Sequence, residues 1–352
     1  MSDIININIR ETRKLITPAE LLSELPASDK VVKTVKESRN SVREILLKKD
    51  HRLILIVGPC SIHDEKAAYE YAEKLKKCHD KYKENLLIIM RVYFEKPRTT
   101  IGWKGLINDP NLDGTNDIPA GLRKARKILL TINEMGLPTA TEMLDPIVPQ
   151  YIADLVTWTA IGARTTESQT HREMASGLSM PVGFKNSTDG NLQVAVDAMQ
   201  SSRNPHSFLG IDIDGNISIV NTNGNPYVHI ILRGGRLRPN FDPQSVLEAN
   251  EKLKESNLPG LIMVDCSHAN SNKVPERQEV VWKSIVEQRT AGNDTLVGMM
   301  LESNLFAGTQ KLVSNLSELK YGISITDACI GWEITESLLE FAHEKMKNVS
   351  RR

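Results

Sequence analysis

Basic side chains stand where buried strands are expected to end. The apolar run from Leu86 to Met90 leads directly into Arg91, and Lys96 and Arg98 follow within the next seven residues. Arginine forks bind phosphate or carboxylate oxygens bidentately and lysine supplies a point charge, so this segment predicts an anion site. The chain carries 44 basic and 44 acidic residues, so general basicity does not explain the cluster.

Three further cations follow other apolar runs, and with the first three they would form a ring. These residues are Arg164, Lys185 and Arg233. A single lysine or arginine is usually a solvated surface residue, which is the alternative interpretation for each of them. One phosphate does not need six cations, whereas two anionic substrates would account for the whole set. We therefore predict two adjacent anion subsites.

Four possible metal ligands occupy comparable positions, namely Cys60, His268, Glu302 and Asp327. One thiolate, one imidazole and two carboxylates suit a borderline divalent ion such as Mn, Fe, Co or Zn better than magnesium or calcium. Such an ion could polarise a carbonyl as a Lewis acid. Three of them also have a simpler interpretation: Cys60 as a buried small hydrophobe, His268 as a core histidine or general acid, and Glu302 as the ion-pair partner of an arginine.

Short apolar runs alternate with amphipathic helical stretches, which is typical of repeated βα units and a parallel sheet. The eight candidate strands lie at residues 52–58, 86–92, 138–143, 158–163, 181–186, 228–233, 260–266 and 295–302. Eight units favour an α/β fold of the (β/α)8 TIM-barrel type, whose active site lies at the carboxyl ends of the strands. An open, doubly wound sheet is the alternative. Two long loops, at about 93–117 and 304–331, hold several of the candidate residues.

The barrel, expected over residues 51–352, has two predicted additions. Residues 1–50 form a helical N-terminal extension, in which Thr17-Pro18-Ala19-Glu20 is a capping box and a longer helix runs from about Ser28 to Lys49. Residues 208–222 alternate apolar and polar side chains about an Asp-Gly turn, which predicts a β-hairpin insertion.

Helix boundaries carry their own signals. Asp64, Asp145 and Asp242 are predicted helix N-caps, the last two because proline follows at the first helical position. Gly136 is a predicted C-terminal cap.

Bulk properties exclude several classes of partner. Balanced charge and a pI of about 7.1 argue against a nucleic-acid or acidic membrane partner. The apolar runs are too short to span a bilayer and the segment Met1-Ser2-Asp3-Ile4 lacks a signal-peptide layout, so we expect a cytoplasmic protein. Four scattered cysteines do not form a disulfide framework.

Four long motifs resemble one enzyme family. They are GPCSIHD from Gly58, RVYFEKPRTT from Arg91, IGARTTESQ from Ile161 and SITD from Ser324. In these motifs, and from about Thr17 to Glu333, the chain closely resembles class I alpha 3-deoxy-D-arabino-heptulosonate 7-phosphate synthase (DAHP synthase). The resemblance implies a metal-dependent barrel enzyme that condenses phosphoenolpyruvate with D-erythrose 4-phosphate and water, with release of inorganic phosphate, in the first step of the shikimate pathway.

The resemblance also distributes the site residues. It implies that one divalent ion is held by Cys60, His268, Glu302 and Asp327. It assigns phosphoenolpyruvate to Arg91, Lys96, Arg164, Lys185 and Arg233. It assigns erythrose 4-phosphate to Arg98 and Thr99. Lys96, as donor of a proton to the developing alkoxide, and His268 are the expected catalytic residues.

Members of this family are oligomers that an aromatic amino acid inhibits, at a site built by the N-terminal extension and the hairpin. The resemblance therefore implies a homodimer or homotetramer, with tyrosine as the favoured effector. The matching effector-site positions are Pro146, Gln150, Ser179 and Gly210. Gly210 would leave room for a phenolic hydroxyl, or it merely serves the entry to the hairpin.

Two departures from the family pattern are visible. Ser187 stands where relatives usually have glycine, and because serine resists positive φ we expect a slightly reshaped loop beside Lys185. The stretch 236–241 is one residue longer than usual and is expected to lie beyond the phosphate contact.

Cys60 and Cys329 could also form a disulfide in the absence of metal, the alternative being plain burial of Cys329.

Two other functions compete with the synthase. A sibling enzyme that uses arabinose 5-phosphate shares the barrel, but the run from Lys96 to Thr100 favours the erythrose enzyme. A non-catalytic sugar-phosphate or amino-acid sensor would keep the barrel and lose the chemistry, and the intact set of ligands and cations argues against it.

Overall fold

A closed barrel of eight parallel strands forms the centre of the protein, which a computed structural model describes at residues 4–347 and 349. In chain order the strands are β1 (Leu53–Gly58), β2 (Leu86–Arg91), β3 (Thr139–Glu142), β4 (Trp158–Ile161), β5 (Val182–Lys185), β6 (Ser207–Ile211), β7 (Ile217–Asn221), β8 (Val228–Leu232), β9 (Ile262–Asp265) and β10 (Leu296–Glu302). The barrel order is β1-β10-β9-β8-β5-β4-β3-β2. Each observed barrel strand falls within a predicted one, and closure confirms the barrel over the open sheet.

Two helices precede the first strand, and each barrel strand is followed by a helix. The helices are α1 (Pro18–Glu24), α2 (Asp29–Leu46), α3 (Glu65–Tyr82), α4 (Ile118–Glu134), α5 (Pro149–Ile152), α6 (Gln169–Gly177), α7 (Gln193–Ser202), α8 (Pro243–Glu255), α9 (Gln278–Thr290) and α10 (Trp332–Met346). Among the described residues, no helix combines the length and the apolar character needed to cross a membrane.

Most predicted helix boundaries are confirmed. The Oγ1 atom of Thr17 accepts a hydrogen bond from the Glu20 amide, and the Glu20 carboxylate accepts one from the Thr17 amide, which completes the capping box. Asp64 and Asp242 cap α3 and α8. Gly136 adopts a left-handed φ of +78° directly after the C-cap of α4, a conformation that glycine adopts without steric cost.

The helix predicted to start at Asp145-Pro146 is wrong in position. Helix α5 begins at Pro149, and Val148 is its N-cap residue. The Oδ1 atom of Asp145 instead accepts a hydrogen bond from the Ile147 amide at 2.8 Å. This bond between the Asp145 side chain and the amide two residues later forms a local turn. Pro146 therefore lies in the bend before the helix and not in its first turn.

The second helix of the N-terminal extension closes the amino end of the barrel. Val42, Ile45 and Leu46 of α2 belong to the same buried cluster as Ile54 and Trp158 inside the barrel. The helix ends three residues earlier than predicted, where Lys48 adopts a left-handed φ of +57°. Residues 1–3 of the predicted extension and residues 348 and 350–352 of the predicted barrel domain lie outside the described residues.

The predicted hairpin insertion is confirmed as the antiparallel pair β6 and β7. The Asp-Gly turn lies between them, with Gly215 at a φ of +79°. Leu209 is 81% exposed and Ile217 is 87% exposed, so one face of this ribbon is apolar and faces solvent in the single chain.

Side chains along each barrel strand alternate between two cores. On β1, Leu53, Leu55 and Val57 pack outward with the surrounding helices, whereas Ile54 and Ile56 belong to the inner cluster. This period of two fixes which residue at each strand end faces the interior. The same alternation on β2, through Leu87 and Ile89, places Arg91 on the inner face.

Candidate active site

The last inward-facing position of each strand, or the residue directly after it, forms one layer at the carboxyl end of the barrel. This layer consists of Gly58, Arg91, Glu142, Gly162, Lys185, Arg233, Asp265 and Glu302. It contains three cations, three carboxylates and two glycines, whereas the layers below are mostly apolar, with His229 bonded to Trp158 as a polar member. The strand ends therefore bring charged groups together at one end of a barrel whose interior is otherwise largely apolar.

The two glycines make room for their charged neighbours. A Cβ atom on Gly58 would lie 2.8 Å from the carbonyl oxygen of Arg91, and one on Gly162 would lie 2.2 Å from Oε1 of Glu142. The Arg91 guanidinium also stacks on the ring of Tyr93, 3.5 Å from its centroid. A larger residue would clash with the Arg91 backbone at position 58 and with the Glu142 carboxylate at position 162.

Three of the four predicted metal ligands lie together. One donor atom each from Cys60, Glu302 and Asp327 falls within 4.8 Å of the others, and Sγ of Cys60 is 3.8 Å from Oδ2 of Asp327. Burial raises the pKa of the Cys60 thiol, and the carboxylate of Glu302 raises it further. A divalent cation would reverse this effect by stabilising the thiolate, so the donor set fits a borderline metal ion.

His268 lies outside that group of three but beside it. Its Nδ1 atom is 2.6 Å from Oγ of Ser267 and 3.0 Å from Oδ2 of Asp265, so Nε2 is the nitrogen left for a ligand. A cavity of about 230 Å³ is lined by His268, Glu302 and Asp327. The side chain is 20% exposed, which excludes a core histidine.

The backbone of the His268 loop adopts an uncommon conformation. His268, Asn272 and Lys273 have φ values of +58°, +52° and +60°, in the left-handed region that residues with a Cβ rarely adopt. The Lys273 amide donates to the His268 carbonyl at 2.8 Å, which helps to hold the loop in place. Such strain clusters at functional sites, where the surrounding structure enforces it.

Asp265 organises both halves of the site, although its sequence position alone gave it no role. Lys185 Nζ donates to Oδ2 of Asp265 at 2.7 Å, and both Oγ and the amide of Ser267 donate to Oδ1. Burial by itself would raise the pKa of Asp265, but Lys185 and His268 hold it well below its usual value. Its place as the last inward residue of β9 is the signal that could have identified it.

All six predicted cations line one cavity of about 660 Å³, together with Thr99, His268 and Asp327. Arg91 and Lys185 are buried in it, and Arg98 and Arg164 are exposed. Within the described part of the chain, Nη1 of Arg91 and Nε of Arg233 are buried donors without a hydrogen-bond partner. Unpaired guanidinium donors in a cationic cavity are what an anion would satisfy.

Lys96 lies between the cation ring and the candidate metal ligands. Its Nζ atom donates to Sγ of Cys60 at 3.1 Å. Burial disfavours its charge, but Cys60 and Glu302 hold the pKa of Lys96 above its usual value, so the side chain stays an ammonium.

Three charged residues of the same cavity were missed, namely Glu142, Arg236 and Lys273. Arg236 is the first residue of the longer stretch 236–241, so this stretch borders the cavity. Oε1 of Glu142 is buried without a hydrogen-bond partner among the described residues, so it can accept one from a bound molecule. The alternation of side chains between the two faces of β3 would have placed Glu142 in the charged layer.

The predicted effector positions lie between α5, α6 and the hairpin. Nε2 of Gln150 donates to the Ile211 carbonyl of β6 at 3.3 Å, and the Ser179 carbonyl accepts from Arg43 of α2 at 3.0 Å. Pro146 is exposed. A Cβ atom on Gly210 would lie 2.8 Å from Cγ2 of Val220, so the space beside this glycine is partly filled.

Two remaining expectations have definite outcomes. Ser187 does not adopt positive φ; its Oγ contacts the Asp189 carboxylate and accepts from the Asn191 amide at 3.1 Å, so the loop tolerates serine. Cys60 and Cys329 are both free and buried, in agreement with the plain-burial interpretation.

Comparison with known proteins places this geometry in a family. A sequence model described as the DAHP synthetase I family matches residues 27–340. The chain is 50% identical to the Tyr-sensitive phospho-2-dehydro-3-deoxyheptonate aldolase of Escherichia coli K12, over 97% of this chain and 96% of the relative. It is 52% identical to the Phe-sensitive enzyme of the same organism, over 95% of both chains.

A solved structure agrees with these relatives. The phospho-2-dehydro-3-deoxyheptonate aldolase of Francisella tularensis SCHU S4 is 49% identical and superposes with a TM-score of 0.94, over 97% of this chain and 99% of that chain. The barrel, the charged layer at its carboxyl end and these matches along nearly the full length lead to one conclusion: the chain belongs to the DAHP synthetase I family.

Proposed function

We propose that the chain condenses phosphoenolpyruvate with D-erythrose 4-phosphate and water to give DAHP and inorganic phosphate, the first step of the shikimate pathway. The observation that carries this proposal is one cavity that joins six cations to His268 and Asp327. Relatives named phospho-2-dehydro-3-deoxyheptonate aldolase, at about half identity over nearly the whole chain, support it.

The cations divide between two anions. Arg91, Lys96, Arg164, Lys185 and Arg233 hold phosphoenolpyruvate, which carries a phosphate and a carboxylate. The buried and unpaired Nη1 of Arg91 supports this assignment, because it needs a partner that the described residues do not supply. Arg98 and Thr99 hold the phosphate of the sugar on the exposed side of the cavity.

One divalent ion, Mn, Fe, Co or Zn, is held by Cys60, His268, Glu302 and Asp327. The clustering of three of these donors and the free Nε2 of His268 support the set. When bound, such an ion supplies Lewis acidity toward the aldehyde oxygen of the sugar. The thiolate and imidazole favour this group of ions over magnesium or calcium.

Lys96 gives a proton to the oxygen that becomes an alkoxide when C3 of phosphoenolpyruvate attacks the aldehyde carbon. Its ammonium lies at the boundary between the two groups of residues, 3.1 Å from Cys60 Sγ, which supports that role. Water then adds at C2, and phosphate leaves by cleavage of the carbon–oxygen bond. The surrounding cations stabilise the charge of the departing phosphate.

Regulation and assembly follow the family. We propose tyrosine as the effector, bound near Pro146, Gln150, Ser179 and Gly210. The exposed apolar face of the hairpin supports a homodimer or homotetramer in which this insertion and the N-terminal extension, residues 1–50, make contacts between copies. A cytoplasmic location, without nucleic-acid or membrane partners, fits the balanced charge.

The direct test measures phosphate release from phosphoenolpyruvate by the purified chain. Release is expected to require erythrose 4-phosphate, to stop when EDTA removes the metal and to resume with Mn²⁺. Arabinose 5-phosphate is the matched control substrate, and faster release with it would favour the sibling synthase. No release with Mn²⁺ and both substrates would favour the sensor.

A further inference from the structure

Strand β10 extends beyond its neighbour β9 at its carboxyl end, where Glu302 lies. The last pair between β10 and β9 joins Met300 to Asp265, and the Cys266 amide donates to the Met300 carbonyl at 2.9 Å. In a parallel sheet, backbone groups two residues apart point to the same side. The amide and carbonyl of Glu302 therefore point to the side where β9 has already ended.

A side chain occupies the place of the missing strand. The Glu302 amide donates to Oε1 of Gln278 at 2.9 Å, and Nε2 of Gln278 donates to the Glu302 carbonyl at 3.0 Å. The carboxamide thus presents the same donor and acceptor that a neighbouring peptide group would present. Gln278 is the first residue of α9 and is 0% exposed, so its position is fixed by the helix and by its surroundings.

The backbone of Glu302 is held on its other side as well. On that side the Ser303 amide donates to the Gly58 carbonyl of β1 at 2.9 Å. The Glu302 carbonyl, which already accepts from Gln278, also accepts from the Ile330 amide at 3.1 Å. With the strand fixed on both sides, the Glu302 carboxylate has one oxygen bonded to Arg91 and lies within reach of Cys60 and Asp327.

We propose that Gln278 is a positioning residue for the metal site, acting by holding the Glu302 backbone where the sheet no longer does. This inference rests on the proposed function, because it takes Glu302 as a ligand. Gln278 itself lines the cavity of about 230 Å³ beside His268, Glu302 and Asp327. A shift of its side chain would therefore change the shape of that cavity. Supporting residues of this kind typically change metal affinity tenfold to a hundredfold when they are replaced.

The test uses two variants and one control. Gln278→Met keeps the length of the side chain and removes both hydrogen bonds, and Gln278→Asn keeps a carboxamide that is one methylene shorter. Asn225→Leu is the matched control, because Asn225 is also buried and donates to three backbone carbonyls outside the active site, those of Ala175, Leu178 and Met180. All three should lose stability, so chemical unfolding is measured first in the presence of EDTA.

The deciding measurement is metal affinity, by competition for Mn²⁺ or Co²⁺ with a chromogenic chelator. Both Gln278 variants should bind the ion about tenfold to a hundredfold more weakly than the unmodified chain, and their Co²⁺ absorption spectra should change. Asn225→Leu should keep both properties despite a similar loss of stability.

Unchanged Mn²⁺ affinity in the folded Gln278→Asn or Gln278→Met protein would overturn the proposal, and so would an equal loss of affinity in Asn225→Leu. Failure of the unmodified chain to bind either ion would instead refute the proposed metal site. The two kinds of failure are therefore distinguishable.

Discussion

Arg91 and Glu302 form a buried ion pair that connects the two halves of the site. Nη2 of Arg91 donates to Oε1 of Glu302 at 3.0 Å, and the side chains are 1% and 2% exposed. Arg91 belongs to the proposed phosphoenolpyruvate subsite, and Glu302 is one of the proposed metal ligands. The sequence left open whether Glu302 is a ligand or an ion-pair partner; the structure shows the pair and also brings a carboxylate oxygen of Glu302 within 4.8 Å of donor atoms of Cys60 and Asp327.

Breaking this pair by Glu302→Gln should lower both stability and metal binding. Removing one partner of a buried pair leaves the other charge uncompensated, which typically costs about 3–5 kcal/mol. Urea unfolding in EDTA measures the first effect and Mn²⁺ titration the second. Glu248→Gln, which removes the exposed partner of Arg238, is the control and should change neither by much. Full Mn²⁺ affinity in Glu302→Gln would contradict the ligand assignment.

Arg98→Ala should separate the two substrates kinetically. Loss of a charge-assisted hydrogen bond costs about 1.5–3 kcal/mol, so the KM for erythrose 4-phosphate should rise by roughly one to two orders of magnitude. The KM for phosphoenolpyruvate should change far less, because its proposed cations remain. Steady-state kinetics with each substrate varied in turn measure both constants, and Arg238→Ala serves as an exposed control. A larger effect on phosphoenolpyruvate would reverse the assignment of Arg98.

Glu95 should make the protein less stable as the pH rises. Burial, reinforced by Asp145, raises the pKa of Glu95 to about 8, above its ordinary value of 4.5. The folded state then binds the proton more tightly than the unfolded state, so the free energy of unfolding falls between about pH 4.5 and pH 8. Glu95→Gln should remove this slope and raise stability at pH 8 by a few kcal/mol, on the order of the shift.

Chemical unfolding at pH 5.5 and pH 8 compares the two proteins. Glu167→Gln, which alters an exposed carboxylate, is the control and should keep the slope of the unmodified chain. An identical slope in Glu95→Gln and the unmodified chain would show that another group causes the pH dependence.

Gly210→Ser should weaken inhibition by tyrosine. The new Cβ would lie 2.8 Å from Cγ2 of Val220 and its hydroxyl would occupy the space assigned to the phenol. Steady-state inhibition should show a rise of about tenfold in the inhibition constant for tyrosine, which corresponds to a loss of about 1.4 kcal/mol of binding free energy. The contact with Val220 would lower the stability of the protein instead. Ser218→Ala, on the paired strand position, is the control. Inhibition of the unmodified chain by phenylalanine but not by tyrosine would overturn the choice of effector.

The amino-acid sequence by itself determined the frame of this protein. Apolar runs predicted most of the eight strands, because a parallel barrel buries both faces of each strand. Strand β3, Thr139–Glu142, is the exception, since its residues are Thr, Ala, Thr and Glu. Local hydrogen bonding fixed most helix starts, as at Thr17 and Asp64, and the one error, at Asp145, arose because the same aspartate can close a turn instead of capping a helix. The motifs that carry the family resemblance are also local, since each one lies within about ten residues.

The tertiary structure decided which charged groups meet. Cys60 and Asp327 are 267 positions apart, and their contact exists only because the barrel closes and the last long loop folds back over β1. Asp265 and Gln278 gave no local signal, because an aspartate at a strand end and a glutamine at a helix start are ordinary residues in a sequence. Their roles depend on contacts with Lys185, His268 and Glu302. Such long-range contacts are determined by how the barrel closes and not by the secondary-structure propensity of any one segment.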